Sequence, residues 1–397
     1  MPSTDEFYRI KRLPPYVFEE VNRLKAKLRA DGRDVIDFGM GNPDMATPLH
    51  IVQKLIETAQ KPKTNRYSAS KGIPGLRRSI ARYYEKRFGV ELEPDTEVVA
   101  TLGSKEGFAN LAQAITSPGD IILAPNPAYP IHAYGFIIAG GVIRAIPAPS
   151  PEEYLAGVAD AAANMSPAPT VLVLNYPSNP TAQTVDLDFY KEAVALAKKH
   201  DVWILSDLAY SEIYFGEPSP SILQVDGAKE IAVEVNSLSK TYAMAGWRVG
   251  MAVGNPRLIA ALARVKSYLD YGAFTPIQVA AAAALDGPQD CVDVIRAIYK
   301  NRRDALIDSF GRAGWTIPEP AASMFAWAPV PEAYKDMGSV GFAKKLMEEA
   351  DVAVAPGLGF GEDGEGFVRI GLVENEQRIR QAARNVKKML SADAVAR

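Results

Sequence analysis

Short runs of apolar residues alternate along this chain with longer segments of helical periodicity. Each run ends at a turn or a polar cluster, which is typical of strands that are buried on both faces of a sheet. The pattern predicts an α/β fold with a largely parallel sheet covered by helices on both faces. The predicted strands are Ile121–Ala124, Val171–Leu174, Trp203–Ser206, Ile231–Val235 and Val249–Val253, and two predicted helices are Pro74–Phe88 and Leu187–His200.

The pattern changes in the last third of the chain. One helical stretch is predicted from Pro256 to about Leu285, and another follows Gly287-Pro288 and ends near Gly314. Beyond it, strands again alternate with helices, which predicts a smaller α/β domain. We expect an N-terminal segment (1–46) packed on that domain, a large domain (47–287) and the small domain (288–397). The predicted small-domain elements are strands Met324–Ala328, Val352–Ala355 and Phe367–Leu372 and helices Val340–Ala350 and Glu374–Leu390.

Charge and composition exclude several classes of protein. The 397 residues include 44 basic and 47 acidic side chains, a net charge of −3, which excludes a strongly basic nucleic-acid or membrane-surface binder. The single cysteine, Cys291, cannot form an intrachain disulfide, and residues 1–13 lack the apolar core of a signal peptide. We therefore expect a cytoplasmic protein with no nucleic-acid partner, no membrane partner and no metal site.

Four polar clusters follow one another in an order and at a spacing that are improbable by chance. Asp207 lies 28 residues after Asn179, and Lys240 lies 33 residues after Asp207. Together the clusters resemble the class I and II, fold-type I aminotransferases, from the Gly39 segment to Arg369. The resemblance implies a mostly parallel seven-stranded sheet, a smaller α/β domain and pyridoxal phosphate as cofactor. The clusters are Gly103-Ser104-Lys105-Glu106-Gly107, Asn175–Thr181, Ser206–Tyr210 and Ser237–Gly250.

The resemblance identifies Lys240 as the lysine that forms a Schiff base with the cofactor aldehyde. Once a substrate amine replaces it, the neutral amine of Lys240 can move a proton between the substrate and the cofactor. Most lysines are solvated surface residues, but Lys240 follows an apolar strand within a serine-rich turn. This position favours the catalytic interpretation.

Asp207 and Tyr210 complete the catalytic set that the resemblance implies. Asp207 matches the carboxylate that pairs with the protonated ring nitrogen and makes the ring withdraw electrons. A helix cap is the alternative for an aspartate at a strand end. The tyrosine three residues later favours the cofactor site, because Tyr210 and Asn179 match the residues that hydrogen-bond the ring oxygen.

Three kinds of donor are expected to bind the cofactor phosphate. A turn at the start of a helix presents backbone amides to an anion, and a planar guanidinium binds phosphate with two parallel hydrogen bonds. Tyr129 matches the aromatic residue that stacks on the cofactor ring, although core packing would also explain one aromatic side chain. The implied phosphate donors are the amides of Gly103, Ser104 and Lys105, the hydroxyls of Ser237 and Ser239, and the guanidinium of Arg248.

Arg369 lies on a predicted strand, where a charged side chain is rare. It either pairs with an internal acid or binds a ligand. By the resemblance it clamps the substrate α-carboxylate, helped by the backbone of Gly41 and the amide of Asn179.

Tyr67 matches a tyrosine that the neighbouring subunit contributes to the phosphate site, which implies a homodimer with shared sites. Tyr271 and Thr275 lie where the family brings a partner segment toward the site. Packing within a single subunit is the alternative for both tyrosines. A two-fold interface with reciprocal donation is the geometry that fits the resemblance.

The resemblance implies a ping-pong transfer of an amino group between an amino acid and a 2-oxo acid. The segment Gly39-Met40-Gly41-Asn42-Pro43 is most similar to the glutamate:pyruvate (alanine) branch, with Tyr16 as a residue that closes over a small side chain. A dicarboxylic substrate needs a second cation, for which the candidates are Lys105, Lys71, Arg9 and Arg12.

Other activities remain open on the same cofactor site. LL-diaminopimelate, aspartate and aromatic aminotransferases belong to the same family, and a carbon–sulfur lyase would use the same cofactor residues. A transcriptional regulator ranks last, because the chain carries no basic stripe and no added DNA-binding segment is expected.

Overall fold

The computed structural model describes residues 7–14 and 17–396. Strands and helices alternate through these ranges as the sequence predicts. The strands are β1 (Ile36–Asp37), β2 (Val98–Thr101), β3 (Ile121–Asn126), β4 (Val142–Pro147), β5 (Pro169–Asn175), β6 (Trp203–Asp207), β7 (Ala232–Ser237), β8 (Gly250–Gly254), β9 (Phe325–Pro329), β10 (Val352–Ala353), β11 (Ala355–Pro356) and β12 (Phe367–Gly371). The helices are α1 (Tyr8–Lys11), α2 (Phe18–Ala30), α3 (Leu49–Ala59), α4 (Pro74–Phe88), α5 (Ser104–Ile115), α6 (Ile131–Ala139), α7 (Pro151–Asn164), α8 (Leu187–His200), α9 (Leu238–Thr241), α10 (Pro256–Leu269), α11 (Thr275–Asp286), α12 (Asp290–Ala313), α13 (Gly338–Ala350) and α14 (Glu376–Ala396).

The large sheet has seven strands among the described residues, in the order β2-β8-β7-β6-β5-β3-β4. β8 is antiparallel to both of its neighbours, and all the other neighbouring strands are parallel. This arrangement confirms the predicted mostly parallel seven-stranded sheet. The chain passes from β4 at one edge back across β3 to β5. The connections therefore diverge between β3 and β5, which opens a crevice at the carboxyl ends of the strands.

Both faces of the large sheet are buried. In β5, Leu172 and Leu174 belong to one core cluster, whereas Val171 and Val173 belong to the cluster on the opposite face. A strand that is buried on both sides is apolar at every position rather than at alternate ones. This is why the short continuous apolar runs predicted the central strands.

A second core lies around two smaller sheets. β9, β11 and β12 form an antiparallel sheet, and β1 pairs with β10 in parallel. Trp315, Phe342 and Ile370 belong to their buried cluster. Helix α2 packs against α13, and its Val21 and Leu28 share a small cluster with Met347 of that helix. The boundaries predicted near residues 46 and 287 stay a prediction.

Two predicted elements are wrong in their continuity. The stretch from Pro256 to Leu285 is two helices, because α10 ends at Leu269 and α11 begins at Thr275. Between them Gly272 has φ +78°, and its amide donates to Oδ1 of Asp270 at 2.6 Å, so the chain turns. The single strand predicted over Val352–Ala355 is also wrong, because β10 pairs with β1 whereas β11 pairs with β12.

Over residues 7–14 and 17–396, no helix is both long and apolar enough to cross a lipid bilayer. The cytoplasmic location expected from the sequence stays a prediction.

Candidate active site

A cavity of about 300 Å³ lies at the carboxyl ends of the large-sheet strands. The segments that follow β5, β6 and β7 form much of its wall, and β12 of the small sheet closes one side. Residues that are far apart in the sequence therefore meet in one place. The predicted site residues that line the cavity are Gly41, Ser104, Lys105, Tyr129, Asn179, Asp207, Tyr210, Ser237, Ser239, Lys240, Arg248 and Arg369.

Lys240 enters the cavity from the short helix α9, directly after β7. The hydroxyl of Ser237 accepts a hydrogen bond from the amide of Ser239 at 3.1 Å and so caps this helix. Nζ of Lys240 donates to the carbonyl oxygen of Gly41 at 2.7 Å. Burial lowers the pKa of the Lys240 amine to about 8, with smaller contributions from the positive charges of Arg369 and Arg248. A neutral amine is therefore accessible near neutral pH.

Asp207 ends β6 and points into the cavity with both carboxylate oxygens engaged. Oδ1 accepts a hydrogen bond from the amide of Ala209 at 3.1 Å, and Oδ2 lies 3.0 Å from Nε2 of His132. His132 is fully buried on α6. These contacts fix the orientation of the carboxylate that the sequence analysis assigned to the cofactor ring.

His132 was not predicted as a site residue, and Asn175 was predicted only as the first residue of its polar cluster. Asn175 ends β5, where its Nδ2 donates to the Asp207 carbonyl at 2.9 Å and its Oδ1 accepts from the Asn179 amide at 2.9 Å. The chain has three histidines, and His132 follows the predicted stacking residue Tyr129 by three positions, which was the available signal. The two rings lie 5.7 Å apart.

Arg369 reaches the cavity from the centre of β12. Its Nη1 donates to Oδ1 of Asn179 at 2.7 Å, and its Nη2 donates to the carbonyl oxygen of Gly39 at 3.2 Å. The guanidinium carbon lies 4.0 Å from the ring centre of Phe325 and 4.6 Å from that of Phe360. A planar cation held between aromatic rings suits a carboxylate ligand, because the rings exclude water from the pair.

The turn before α5 has the features of an anion site. Gly103 has φ +84°, and a side chain built there would collide with the guanidinium of Arg248. Arg248 is held by hydrogen bonds from Nη2 to the Leu102 carbonyl at 3.1 Å and from Nη1 to the Ala245 carbonyl at 2.9 Å. The cation thus lies against the open amides at the start of the helix, where an anion is favoured.

The two predicted cofactor tyrosines also lie in the cavity wall. The Tyr129 ring centre is 5.6 Å from Nζ of Lys105, and the Tyr210 ring packs edge-on against Phe325 at 5.6 Å. Burial is the main cause that raises the pKa of both phenols. Both tyrosines therefore remain neutral and can donate a hydrogen bond.

The residues present fit pyridoxal phosphate. Its aldehyde, its protonated ring nitrogen and its phosphate have counterparts in the Lys240 amine, the buried Asp207 carboxylate and the cation beside the glycine turn. Gly103 has no side chain, so the space beside the Arg248 guanidinium stays open for an anion.

Tyr67, Tyr271 and Thr275 lie outside this cavity. Tyr67 is 86% exposed, and its ring centre lies 4.7 Å from that of Tyr271, which is 62% exposed. Thr275 is the first residue of α11. The contribution of these residues to a neighbouring subunit's site stays a prediction. Tyr16 falls outside the described residues.

A second cavity of about 160 Å³ adjoins the first. Lys105 and Arg369 line both cavities, and the second one extends toward Phe18 and Asn22 of α2. The arrangement leaves room for a substrate side chain beyond the carboxylate clamp.

Known proteins of similar sequence are named aminotransferases. The family described as "Aminotransferase class I and II" matches residues 33–386. Aminotransferase AatC of Rhizobium meliloti (strain 1021) is 63% identical, over 98% of this chain and 96% of the relative. The glutamate-pyruvate aminotransferase AlaC of Escherichia coli (strain K12) is 53% identical, over 98% and 95%.

More distant relatives also match over nearly the whole chain. An LL-diaminopimelate aminotransferase of Moorella thermoacetica is 40% identical, over 97% of this chain and 98% of the relative. The substrate-bound structure of BacF from Bacillus subtilis superposes with a TM-score of 0.90 at 32% identity, covering 98% of each chain. The chain therefore belongs to the class I and II aminotransferases, a family whose members depend on pyridoxal phosphate.

Proposed function

We propose that this aminotransferase moves the amino group of L-alanine to 2-oxoglutarate, giving pyruvate and L-glutamate, by a ping-pong mechanism. One observation supports it. The amine of Lys240, the buried carboxylate of Asp207 and the guanidinium of Arg369, which would bind a carboxylate, all line one cavity. The identity of 53% to a glutamate-pyruvate aminotransferase, against 40% to an LL-diaminopimelate aminotransferase, supports this substrate pair.

We assign the cofactor-binding roles from the positions of the donors. Pyridoxal phosphate, when bound, supplies an aldehyde that accepts the amino group and a ring that withdraws electrons from the substrate α-carbon. The phosphate is held by the turn before α5 and by side chains at and after the end of β7. These donors are the amides of Gly103, Ser104 and Lys105, the guanidinium of Arg248 and the hydroxyls of Ser237 and Ser239. Asp207, oriented by His132, keeps a proton on the ring nitrogen.

Lys240 acts as the proton carrier in this proposal. Its amine has a pKa lowered to about 8, so its neutral form can accept a proton from the substrate α-carbon. The same Nζ would then deliver that proton to the aldehyde-derived carbon of the cofactor, C4′, and the reverse order would serve the second half of the cycle. The hydrogen bond to Gly41 keeps Nζ in the cavity before the cofactor is attached.

Arg369 binds the α-carboxylate, which is common to both amino acids and both oxo acids. One clamp can therefore serve both halves of the reaction. Asn179 and the Gly39 carbonyl orient its two terminal nitrogens, while Phe325 and Phe360 cover the faces of the guanidinium. The low-dielectric surroundings strengthen the ion pair with a bound carboxylate.

Lys105 is the cation that we propose for the distal carboxylate of glutamate and 2-oxoglutarate. It lines both cavities, whereas Lys71 donates to the Asp95 carbonyl on the exterior and Arg12 donates to the Ile137 and Gly141 carbonyls. Lys105→Gln should lower kcat/KM for L-glutamate by about tenfold and leave that for L-alanine within about twofold. Lys71→Gln is the matched control. An equal loss for both substrates would remove Lys105 from this role.

We also propose a homodimer. Tyr67 and Tyr271 form an exposed aromatic pair, and Tyr268, Leu269 and Phe274 in the same segment as Tyr271 are also exposed. A large group of exposed apolar side chains is typical of an interaction surface. Sedimentation should give twice the chain mass of 43.0 kDa, and Tyr67→Asp should shift it toward the single-chain value. A single-chain mass for the unmodified protein would contradict the proposal.

An amine-transfer screen tests the substrate assignment. Each of L-alanine, LL-diaminopimelate, L-aspartate and L-tyrosine is supplied with 2-oxoglutarate, and L-glutamate is measured. We expect the highest kcat/KM with L-alanine. A higher kcat/KM with LL-diaminopimelate would favour an LL-diaminopimelate aminotransferase, an activity supported by the similarity to the relative from Moorella thermoacetica. Release of pyruvate and ammonia from L-cysteine without an oxo acid would instead indicate a carbon–sulfur lyase.

A further inference from the structure

A fully buried lysine lies outside the residues assigned above. Lys266, near the end of α10, is 0% exposed. Its Nζ lies 2.8 Å from Oε1 of Glu106 and 2.9 Å from Oδ2 of Asp270. A buried ammonium is costly unless it is paired and hydrogen-bonded, and here two carboxylates provide the pairing. The burial of Lys266 therefore has to be explained by what its ammonium does for the two carboxylates.

Glu106 connects this lysine to the turn that we assign to the cofactor phosphate. It is the third residue of α5, and its Oε2 accepts a hydrogen bond from the Leu102 amide at 2.8 Å. The side chain thus fixes the backbone immediately before Gly103. A carboxylate in the first turn stabilises the helix, but it repels a phosphate bound at the same helix end.

Asp270 connects the lysine to the exposed aromatic pair. Its Oδ1 accepts from the Gly272 amide at 2.6 Å, and its carbonyl accepts from the Ser70 hydroxyl at 2.6 Å. These bonds shape the turn that carries Tyr271 and join it to the segment that carries Tyr67. Lys266 therefore bridges the phosphate turn and the segment proposed to face a neighbouring subunit.

We propose that Lys266 is a positioning residue for the cofactor phosphate, because its ammonium offsets the charge of Glu106 and ties the phosphate turn to the Tyr271 segment. The inference rests on the proposed phosphate role of the turn at Gly103. The three side chains carry one net negative charge together, since two carboxylates face one ammonium. Without the ammonium, two negative charges would remain beside the site of a doubly charged phosphate.

The test compares the affinities of the cofactor-free protein for pyridoxal phosphate and for pyridoxal, which lacks the phosphate. A unit charge acting on a doubly charged phosphate over about 10 Å at an effective dielectric of about 20 changes an affinity by roughly two orders of magnitude before salt screening. Lys266→Met should therefore weaken pyridoxal phosphate by at least about tenfold and pyridoxal by less than about twofold. Lys266→Arg, which keeps the charge, should preserve the ratio of the two affinities, defined as the affinity for pyridoxal phosphate divided by the affinity for pyridoxal. An equal loss of both ligands in Lys266→Met would reduce Lys266 to a structural residue and overturn the proposal.

Removing the charge of Glu106 provides the decisive control. In the double variant Glu106→Gln/Lys266→Met, the ratio of affinities should return to the unmodified value, although the buried lysine is still missing. Glu106→Gln alone should raise the ratio, and this variant keeps the proposal testable if Lys266→Met does not fold. An unchanged or lower ratio in Glu106→Gln would overturn the proposal. Failure of the unmodified protein to bind pyridoxal phosphate would instead defeat the proposed function.

Hydrogen–deuterium exchange tests the mechanical part of the inference. Amide exchange in residues 102–107 and 270–274 should rise together in Lys266→Met, because both segments lose the same ammonium. Exchange that rises in only one of the two segments would contradict a link through Lys266.

Discussion

Nζ of Lys240 lies 2.7 Å from the carbonyl oxygen of Gly41, although 199 residues separate the two in sequence. A carbonyl only accepts, so the amine donates and is held within the cavity. Burial next to Arg369 and Arg248 lowers the pKa of this amine to about 8. Lys240, which follows β7, is thus held by Gly41 of the N-terminal segment. Its neutral form is available to react with an aldehyde or to accept a proton.

The lowered pKa of Lys240 predicts how cofactor attachment depends on pH. Only the neutral amine attacks an aldehyde, so the attachment rate of the cofactor-free protein should rise about tenfold per pH unit below 8 and level off above it. Stopped-flow absorbance with added pyridoxal phosphate measures this rate. A rate that stays constant from pH 6 to 9 would show that another group limits the reaction.

His132 should influence turnover without touching the substrate. His132→Leu removes the hydrogen bond to Asp207, and losing a bond to a charged group costs about 1.5 to 3 kcal/mol, or roughly ten- to 150-fold in kcat. The KM for L-alanine should change less, since we assign carboxylate binding to Arg369. His132→Gln, which keeps a donor, should recover part of the loss, and His200→Leu at the end of α8 is the control. Equal changes in kcat and KM would indicate a general structural defect.

Arg369 should contribute equally to all substrates. Arg369→Ala leaves the bound α-carboxylate unpaired, at a cost of about 2 to 5 kcal/mol, or about thirty- to several-thousand-fold in kcat/KM. Steady-state kinetics should show the same factor for L-alanine and L-glutamate. Arg378→Ala, which breaks an ion pair with Asp34 far along the chain, should have little effect. A loss of kcat/KM confined to L-glutamate would instead indicate that Arg369 binds the distal carboxylate.

Gly103 allows a test of the phosphate turn that separates contact from backbone strain. Gly103→Ala introduces a methyl group against the Arg248 guanidinium and should weaken pyridoxal phosphate by about ten- to a hundredfold. Gly338→Ala is the matched control, because Gly338 has φ +68° and ψ 173°, close to the φ +84° and ψ 159° of Gly103, and the nearest atom to a methyl group there is a carboxylate oxygen of Glu365 at 3.2 Å. Both variants should lose thermal stability, and only the first should lose cofactor affinity. Equal cofactor affinities in the two variants would contradict the assignment of the turn.

The central strands and several helix ends were predictable from local sequence. Helix α8 begins and ends where predicted, because Asp186 caps its start with a hydrogen bond to the Phe189 amide at 2.9 Å. Strand β4 was not predicted. It lies at the edge of the large sheet, where Val142 is 42% exposed, so it lacks the continuous apolar pattern of a doubly buried strand.

The positions of the proposed site residues followed from motifs, but their supporting contacts did not. His132 contacts Asp207 across 75 residues, and Lys266 contacts Glu106 across 160. The local signal for His132 is limited to its position three residues after Tyr129, and a lysine in a helical stretch has no local pattern that distinguishes it from a surface lysine. Only the packing of α6 on the large sheet, and of α10 on α5, reveals what these side chains contact.

The most direct measurement is to add pyridoxal phosphate, reduce the protein with borohydride and locate the modified residue by peptide mass spectrometry. We predict a single modified lysine, Lys240, and no modification in Lys240→Ala, which should still bind the cofactor without covalent attachment. An adduct on another lysine, or no adduct at all, would contradict the account.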